Sequence, residues 1–370
     1  MKDNSLPKKN VPLAVKVLIW VLAAVFVMAG AAWIFQKPIF TAIAVKTIQE
    51  RFAIQSQKLD DGLYAGLAGT GAPFPDVNRV GPCIVVAAGK HLYIVDCGDG
   101  AARNISLMGF QIGKVDAILL THFHSDHIAG LGEMMLQRWA NGSNASPVDV
   151  IGPEGVDEVV KGYNDAYKLD AEYRVAHHGA ATVPQSGAGG TARPFNLSAG
   201  DDASTVVADE DGVRITAFKV NHAPVYPAVG YRFDYGGRSL VISGDTEPCD
   251  SLKKQSMGVD VLLHEALQDS LMKLINEQAA IAPSASTARI TADIPSYHAT
   301  PEDAARIAGE AGVRHLVLYH ILPPLPQLLT GMFLGDSSKY YPGPITVGED
   351  GMLISLPANS DKIYLKNLLK

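Results

Sequence analysis

Residues 121–128 read Thr-His-Phe-His-Ser-Asp-His-Ile, so His122, His124, Asp126 and His127 fall close together in one short stretch. Imidazole nitrogens and carboxylate oxygens are ordinary ligands of zinc and related divalent cations. A cation that keeps one coordination position open polarises a bound ester and lowers the pKa of a neighbouring water, which is hydrolase chemistry. The density and order of these side chains separate the motif from a polar loop with scattered histidines.

The motif follows an apolar run at 115–120 that reads as a buried strand. A strand that opens into a loop can aim several side chains at one point. The same arrangement recurs downstream. His222 follows a strand ending at Val220, and Asp245 lies in Ser243-Gly244-Asp245-Thr246 after the run 240–242. His264 and Glu265 follow 261–263, His298 precedes a helix, and His320 ends the strand 315–319. His122, His124, Asp126, His127, His222, Asp245 and His320 supply donors for two cations. Asp245, with two carboxylate oxygens, is the natural bridge.

Around these residues the text alternates short apolar runs with Gly and Pro turns. Residues 63–68, 83–87, 92–95 and 117–120 read as strands, 132–139 as a helix, 148–151 as a strand and 155–167 as a helix. Residues 177–200, rich in Gly, Ala and Pro, read as a long surface loop carrying His177 and His178. In the second half 212–220, 229–234, 239–242, 259–263 and 315–319 read as strands. Residues 300–312 read as a helix, with Thr300 as cap, Pro301 at the first position and Glu302 and Asp303 at the positive end. Strands followed by helices, twice over, indicate an α+β helix-sheet-sheet-helix sandwich.

Bulk properties narrow the class. Hydrophobic residues make up 47% of the 370, charged residues 19%, and the net charge of −7 disfavours non-specific binding to nucleic-acid phosphates. Three cysteines without a CxxC pair suggest no disulfide framework, and Cys83 and Cys97 read as buried free thiols. Neither a complete dinucleotide fingerprint after Gly69-Thr70-Gly71 nor a G-x-S-x-G nucleophile motif occurs. Residues 17–35 carry no charge and approach the length of a membrane-spanning helix. Lys2, Lys8, Lys9 and Lys16, against Asp3, precede this run, which places the N-terminus in the cytoplasm and the body outside it. The competing reading is a signal segment, cleaved near 29–31 or 42–44, with the body secreted. The expected organisation is a cytoplasmic tail and anchor at 1–36, a helical stalk at 37–60 and a hydrolase domain at 61–370.

The motifs together resemble the metallo-β-lactamase-fold hydrolases, in their ribonuclease Z and arylsulfatase-like branch. The resemblance is carried by Leu67-Ala68-Gly69-Thr70-Gly71, Val95-Asp96-Cys97-Gly98, the motif at 121–127, His222 with Gly230-Tyr231-Arg232, Ser243-Gly244-Asp245-Thr246, His264-Glu265-Ala266, His298-Ala299-Thr300 and His320. It implies an αβ/βα four-layer sandwich holding two Zn2+, with Mn2+ or Fe2+ as alternatives. His122, His124 and His222 would hold one cation, Asp126, His127 and His320 the other, and Asp245 would bridge them. The nucleophile implied is a hydroxide shared by the two cations. His298 would contact a phosphate oxygen or protonate the leaving group, and Asp96 would orient a ligand. His264 and Glu265 read as a hydrogen-bonded core pair or as support for the ligands.

The expected substrates are small phosphodiesters or aryl sulfate esters. Ribonuclease Z proteins of this pattern carry a tRNA-gripping arm between Gly-Tyr-Arg and Ser-Gly-Asp-Thr, whereas here only residues 233–242 intervene, with Gly236-Gly237 as a hairpin turn. Nucleic acid is therefore not the expected partner. The alternatives are a tRNA 3′-processing endonuclease, a lactonase or β-lactamase, and a non-catalytic membrane metal-binding protein. Residues 267–297, with a helical stretch at 271–275, are expected to cap the pocket as a lid, a surface excursion being the alternative. Whether the chain forms a homodimer is left open by the sequence.

Overall fold

The computed structural model describes residues 12–54, 59–281, 285–324 and 329–370. Lys2, Asp3, Lys8 and Lys9, the segment 55–58 at the end of the expected stalk, and 282–284 in the expected lid lie outside the described residues. The chain divides into an N-terminal unit, 1–55, and a body, 56–370. The N-terminal unit contains α1 (Leu13–Ile54), one helix that continues through Pro38. Trp20, Phe26, Trp33 and Phe40 are exposed on it. Leu13–Gln49 is long and apolar enough to cross a membrane.

In the body, the first half of the chain gives β1 (Gly62–Gly69), β2 (Cys83–Ala88), β3 (His91–Val95) and α2 (Ala101–Leu107). It continues through β4 (Ala117–Leu119), α3 (Ser125–Ile128), α4 (Leu131–Gly142), β5 (Val148–Pro153), α5 (Val156–His178) and β6 (Gly190–Phe195). The second half gives β7 (Ser204–Glu210), β8 (Val213–Lys219), β9 (Val229–Tyr235), β10 (Arg238–Ile242), α6 (Asp250–Gln255) and β11 (Val261–Leu267). Then follow α7 (Asp269–Ile281), α8 (Ala285–Asp293), α9 (Pro301–Ala311), β12 (His315–Leu322), α10 (Thr330–Phe333) and β13 (Ile345–Val347). Finally β14 (Met352–Pro357) and β15 (Tyr364–Asn367) return to the first sheet, where β14 pairs with β1.

The strand orders are β15-β14-β1-β2-β3-β4-β5-β6 and β13-β12-β11-β10-β9-β8-β7. In each sheet, antiparallel hairpins lead into parallel strands, β3-β4-β5-β6 in one and β10-β11-β12-β13 in the other. Apolar side chains of both sheets meet in a central core that includes Leu67, Val95 and Leu119 from one and Tyr231, Leu263 and Val317 from the other. The outer face of the first sheet is covered through Ile105, Met134 and Val160, that of the second through Leu252, Ala304 and Ala308. The four-layer sandwich follows: each sheet is apolar on both faces, so each must be covered on both.

Several boundaries differ from the sequence reading. Residues 177–200 are not one long loop. α5 runs on to His178, and 190–195 form β6, parallel to β5. β11 and β12 do not stop before His264 and His320 but run through them. β7, β13, β14 and β15 were not anticipated, because their apolar runs are short, three residues in Val206-Val207-Ala208 of β7 and in Met352-Leu353-Ile354 of β14.

Candidate metal centre

Most of the chemistry-bearing residues lie at or just beyond the carboxyl ends of strands with a parallel neighbour, where ligands of layered α/β proteins commonly bind. His222 instead follows the antiparallel strand β8, and His298 directly precedes Ala299-Thr300 at the start of α9. Asp96 follows β3, His122 and His124 lie beyond β4, Asp126 and His127 are on α3, and Asp245 follows β10. Gly244 makes the turn that presents Asp245. It has φ +64°, and a Cβ there would lie 2.6 Å from the Val229 carbonyl oxygen. His320 is itself in the left-handed region at φ +48°, an uncommon conformation for a side-chain-bearing residue. The Tyr231 hydroxyl donates to the Leu120 carbonyl at 2.7 Å and pins the chain just ahead of the histidine motif.

Two groups of donors meet around Asp245. Ligand atoms of His122, His124, His222 and Asp245 all lie within 4.8 Å of one another, as do those of Asp126, His127 and His320. The Asp245 Oδ2 lies 3.8 Å from His122 Nε2, 3.2 Å from His127 Nε2 and 3.3 Å from His320 Nε2, so one carboxylate adjoins both groups. A ring nitrogen of His298 joins Asp245 and His320 within the same spacing. Among the described residues, no such group includes His177 or His178, which are exposed at the end of α5.

The surrounding hydrogen bonds aim the imidazoles. The Asp96 carboxylate accepts from the Thr121 N–H, the Thr121 hydroxyl and His127 Nδ1, each at 2.8 Å. That leaves His127 Nε2 facing Asp245. The Thr121 hydroxyl, already donating to Asp96, can accept from His122 Nδ1 at 3.1 Å. The Tyr297 carbonyl accepts from His222 Nδ1 at 2.9 Å, which leaves His222 Nε2 turned towards His124. Such outer contacts fix tautomer and ring orientation.

Glu265 and His264 point apart and do not form a pair of bonded side chains. Glu265 Oε1 accepts from His298 Nδ1 at 3.0 Å and from the Thr246 and Ala299 N–H groups, each at 3.1 Å. His264 Nδ1 instead contacts the Glu265 carbonyl at 2.7 Å. Alternation along β11 explains the split, because successive side chains of a strand face opposite sides.

The electrostatics follow from burial and neighbouring charge. Burial, reinforced by His127, holds His122 well below the ordinary imidazole range, and burial also lowers His124 and His222. Burial opposes charge on His127 too, but Asp245, Asp126 and Asp96 outweigh it and raise its pKa well above the usual value. Asp245 is held well below the carboxylate range because His127 and His320 overcome its burial. For His298, Glu265 outweighs burial and raises the pKa.

The donor set fits divalent cations. The buried atoms His127 Nε2, Asp245 Oδ1 and His320 Nδ1 have no hydrogen-bond partner. An unpaired buried polar atom is costly, and a cation coordinated by the first two would satisfy them. Binding would release the His127 proton, since a ligating imidazole must be neutral.

The beta-lactamase superfamily domain profile matches residues 91–321. The chain belongs to the beta-lactamase superfamily. Among curated relatives, Ribonuclease Z of Mycobacterium sp. (strain KMS) is 35% identical over 285 residues, covering 77% of this chain and 93% of that protein. Ribonuclease Z of Mycolicibacterium gilvum (strain PYR-GCK) is 37% identical over 286 residues, covering 77% and 93%. Within the superfamily this chain therefore belongs with the ribonuclease Z relatives. The metallo-beta-lactamase fold protein YhfI from Bacillus subtilis superposes with a TM-score of 0.58 at 21% identity, covering 80% of this chain and 100% of that one. The short form of human tRNase Z does so with a TM-score of 0.56 at 22% identity, covering 80% and 99%. These two structures bear on the fold.

Some residues of this superfamily member escaped sequence reasoning. Thr121 is a hub between Asp96 and His122, and its place directly before the histidine motif was the available signal. Asp350 accepts from the Thr70 N–H and hydroxyl and from the Val80 N–H at 2.8–2.9 Å, and from Asn104 Nδ2 at 3.0 Å. The Thr70 carbonyl in turn accepts from the Ile321 N–H at 2.9 Å, next to His320. Nothing near Asp350 in sequence announces this partnership across 280 positions.

Proposed function

We propose that the body is a metal-dependent phosphodiesterase of the ribonuclease Z kind. The observation that carries this reading is the pairing of two donor groups around Asp245 with His298, which is held by the buried carboxylate of Glu265. His122, His124 and His222 would hold one divalent cation and Asp126, His127 and His320 the other, with Asp245 between them; zinc is the metal favoured by this donor chemistry. When bound, the cations would polarise the phosphoryl group and lower the pKa of a nearby water.

The chain's own residues do the rest. Asp96 keeps His127 in the tautomer that turns Nε2 inward, and the Tyr297 carbonyl does the same for His222. Glu265 holds a proton on His298 Nδ1 and favours the charged imidazole, so His298 can give a proton to the departing alkoxide from its other nitrogen.

The relatives' name supports RNA as the substrate. A second reading, small phosphodiesters, is favoured by the β9–β10 connection, a hairpin in which Tyr235 pairs with Arg238 across Gly236-Gly237, with no projecting arm. We also propose that α1 anchors the chain in a membrane. The lysine distribution favours the body outside the cytoplasm, and an RNA substrate would require the opposite orientation; protease accessibility in intact and opened cells distinguishes them.

The test is hydrolysis by the full chain, zinc content determined, of precursor tRNA, bis-p-nitrophenyl phosphate, p-nitrophenyl sulfate and a chromogenic β-lactam. Chelator-sensitive cleavage of a phosphodiester is expected, with precursor tRNA separating the two readings. Cleavage of the sulfate or the lactam without any phosphodiester would refute the proposal.

A further inference from the structure

Through Tyr297, the polar site adjoins an apolar cluster. The Tyr297 ring stands 5.3 Å from that of His222 and 4.9 Å from that of His298, centre to centre. Tyr297, Phe74 and Ile275 are partly buried and pack on the same small core, which includes Met272 and Leu322. Three chain segments thus share one small core, the turn after β1, the helix α7 and the stretch leading to His298, and Tyr297 joins that core to the donor groups. They present side chains that are apolar yet incompletely covered.

The charge pattern of this wall is informative. The stretches 69–75, 294–297 and 321–324 contain no charged residue. The cations of the two helices above it are paired within their own helices, Lys273 with Asp269 at 2.7 Å and Arg289 with Asp293 at 2.9 Å. A surface that tracks a polynucleotide backbone needs unneutralised Lys and Arg. A surface that takes an apolar ester group needs what is present here, uncharged side chains with exposed area still to lose.

We infer that Tyr297, Phe74 and Ile275 form the subsite for one ester group of the substrate, and that this group is apolar and extended. The inference rests on the phosphodiesterase reading for the phosphate-binding half of the site and adds the chemistry of the alcohol half. Tyr297 is then a specificity residue through its side chain, while its carbonyl orients His222.

The test is calorimetric titration of the zinc-loaded full chain in detergent, blanked against empty micelles, with methyl, butyl and hexyl phosphate. Each methylene in full contact is worth roughly a fourfold gain in affinity. Partial contact along the wall predicts a hexyl-to-methyl affinity ratio on the order of tenfold or more. In Tyr297→Ala and in Ile275→Ser that ratio should fall towards one. Circular dichroism would verify folding; if one variant fails to fold, the other carries the test. A flat series in the parent chain, or a ratio unchanged in both folded variants, would overturn the inference. Turnover of bis-p-nitrophenyl phosphate on the same samples separates the two claims. Chain-length-dependent binding without turnover sinks the phosphodiesterase reading and leaves the wall; turnover with flat binding does the reverse.

Discussion

Replacing Glu265 by Gln probes the proton path without changing the shape of the site. Glu265 is fully buried, and its Oε1 accepts from His298 Nδ1 at 3.0 Å and from two backbone N–H groups at 3.1 Å. A glutamine oxygen can keep the backbone bonds, so the fold should survive. What is lost is charge assistance to His298. Hydrogen bonds to charged groups contribute about 1.5–3 kcal/mol and neutral ones about 0.5–1.5, a difference of about 1–1.5 kcal/mol. If that difference is expressed when the leaving alkoxide takes its proton, kcat falls roughly tenfold. His298→Ala, which removes the acid itself, should cost on the order of 10²–10⁴. The assay compares phosphodiesters with an alkyl leaving group against p-nitrophenyl esters, whose phenolate departs without a proton. Both variants should lose far more on the alkyl esters, with zinc content unchanged. Equal losses on both substrates, or loss of zinc from Glu265→Gln, would refute the assignment of Glu265 and His298 to proton delivery.

Asp245→Ala should bring turnover to background and deplete both cations, measured by elemental analysis, because one carboxylate adjoins both donor groups; retained activity would exclude a shared bridge. Asp96→Asn should weaken zinc binding by about 10- to 100-fold in a competition titration, the usual cost of losing a partner that orients a metal ligand. Away from the site, Arg238 forms a two-pronged pair with Asp260 at 2.9–3.0 Å and donates to the Pro357 and Lys362 carbonyls. Asp260→Ala should therefore destabilise the body by about 3–5 kcal/mol in denaturant unfolding, since it leaves a buried cation unpaired. Burial works against the Asp260 charge, but Arg238, the Ser239 N–H and Arg314 overcome it and lower its pKa. Its contribution is thus complete above the unfolded carboxyl pKa, about 4, and is lost as pH falls through the lower folded value. Acid unfolding of the parent and of Asp260→Ala should accordingly converge at low pH.

The sequence by itself determined the fold class and marked the candidate donors. His122, His124, Asp126 and His127 are close in the chain, so a strand that ends in a loop brings them together, although Asp96 and Tyr231 then hold them in place. Alternation of short apolar runs with Gly and Pro turns likewise marks most of the strands that build both sheets. The apolar N-terminal helix was legible for the same reason, as a local property of composition.

Only the tertiary structure decided how these parts meet. The opposed directions of His264 and Glu265 depend on β11 continuing through both residues, a boundary that apolarity alone did not mark. The role of Asp350 as anchor of the Thr70 turn spans most of the chain. The apolar wall at Tyr297, Phe74 and Ile275 comes from three distant segments whose sequences look like ordinary loops and helix. Periodicity and turn chemistry are local and can be read along a chain. Which buried carboxylate receives which donor is set by packing, and packing exists only once the sheets have closed on one another.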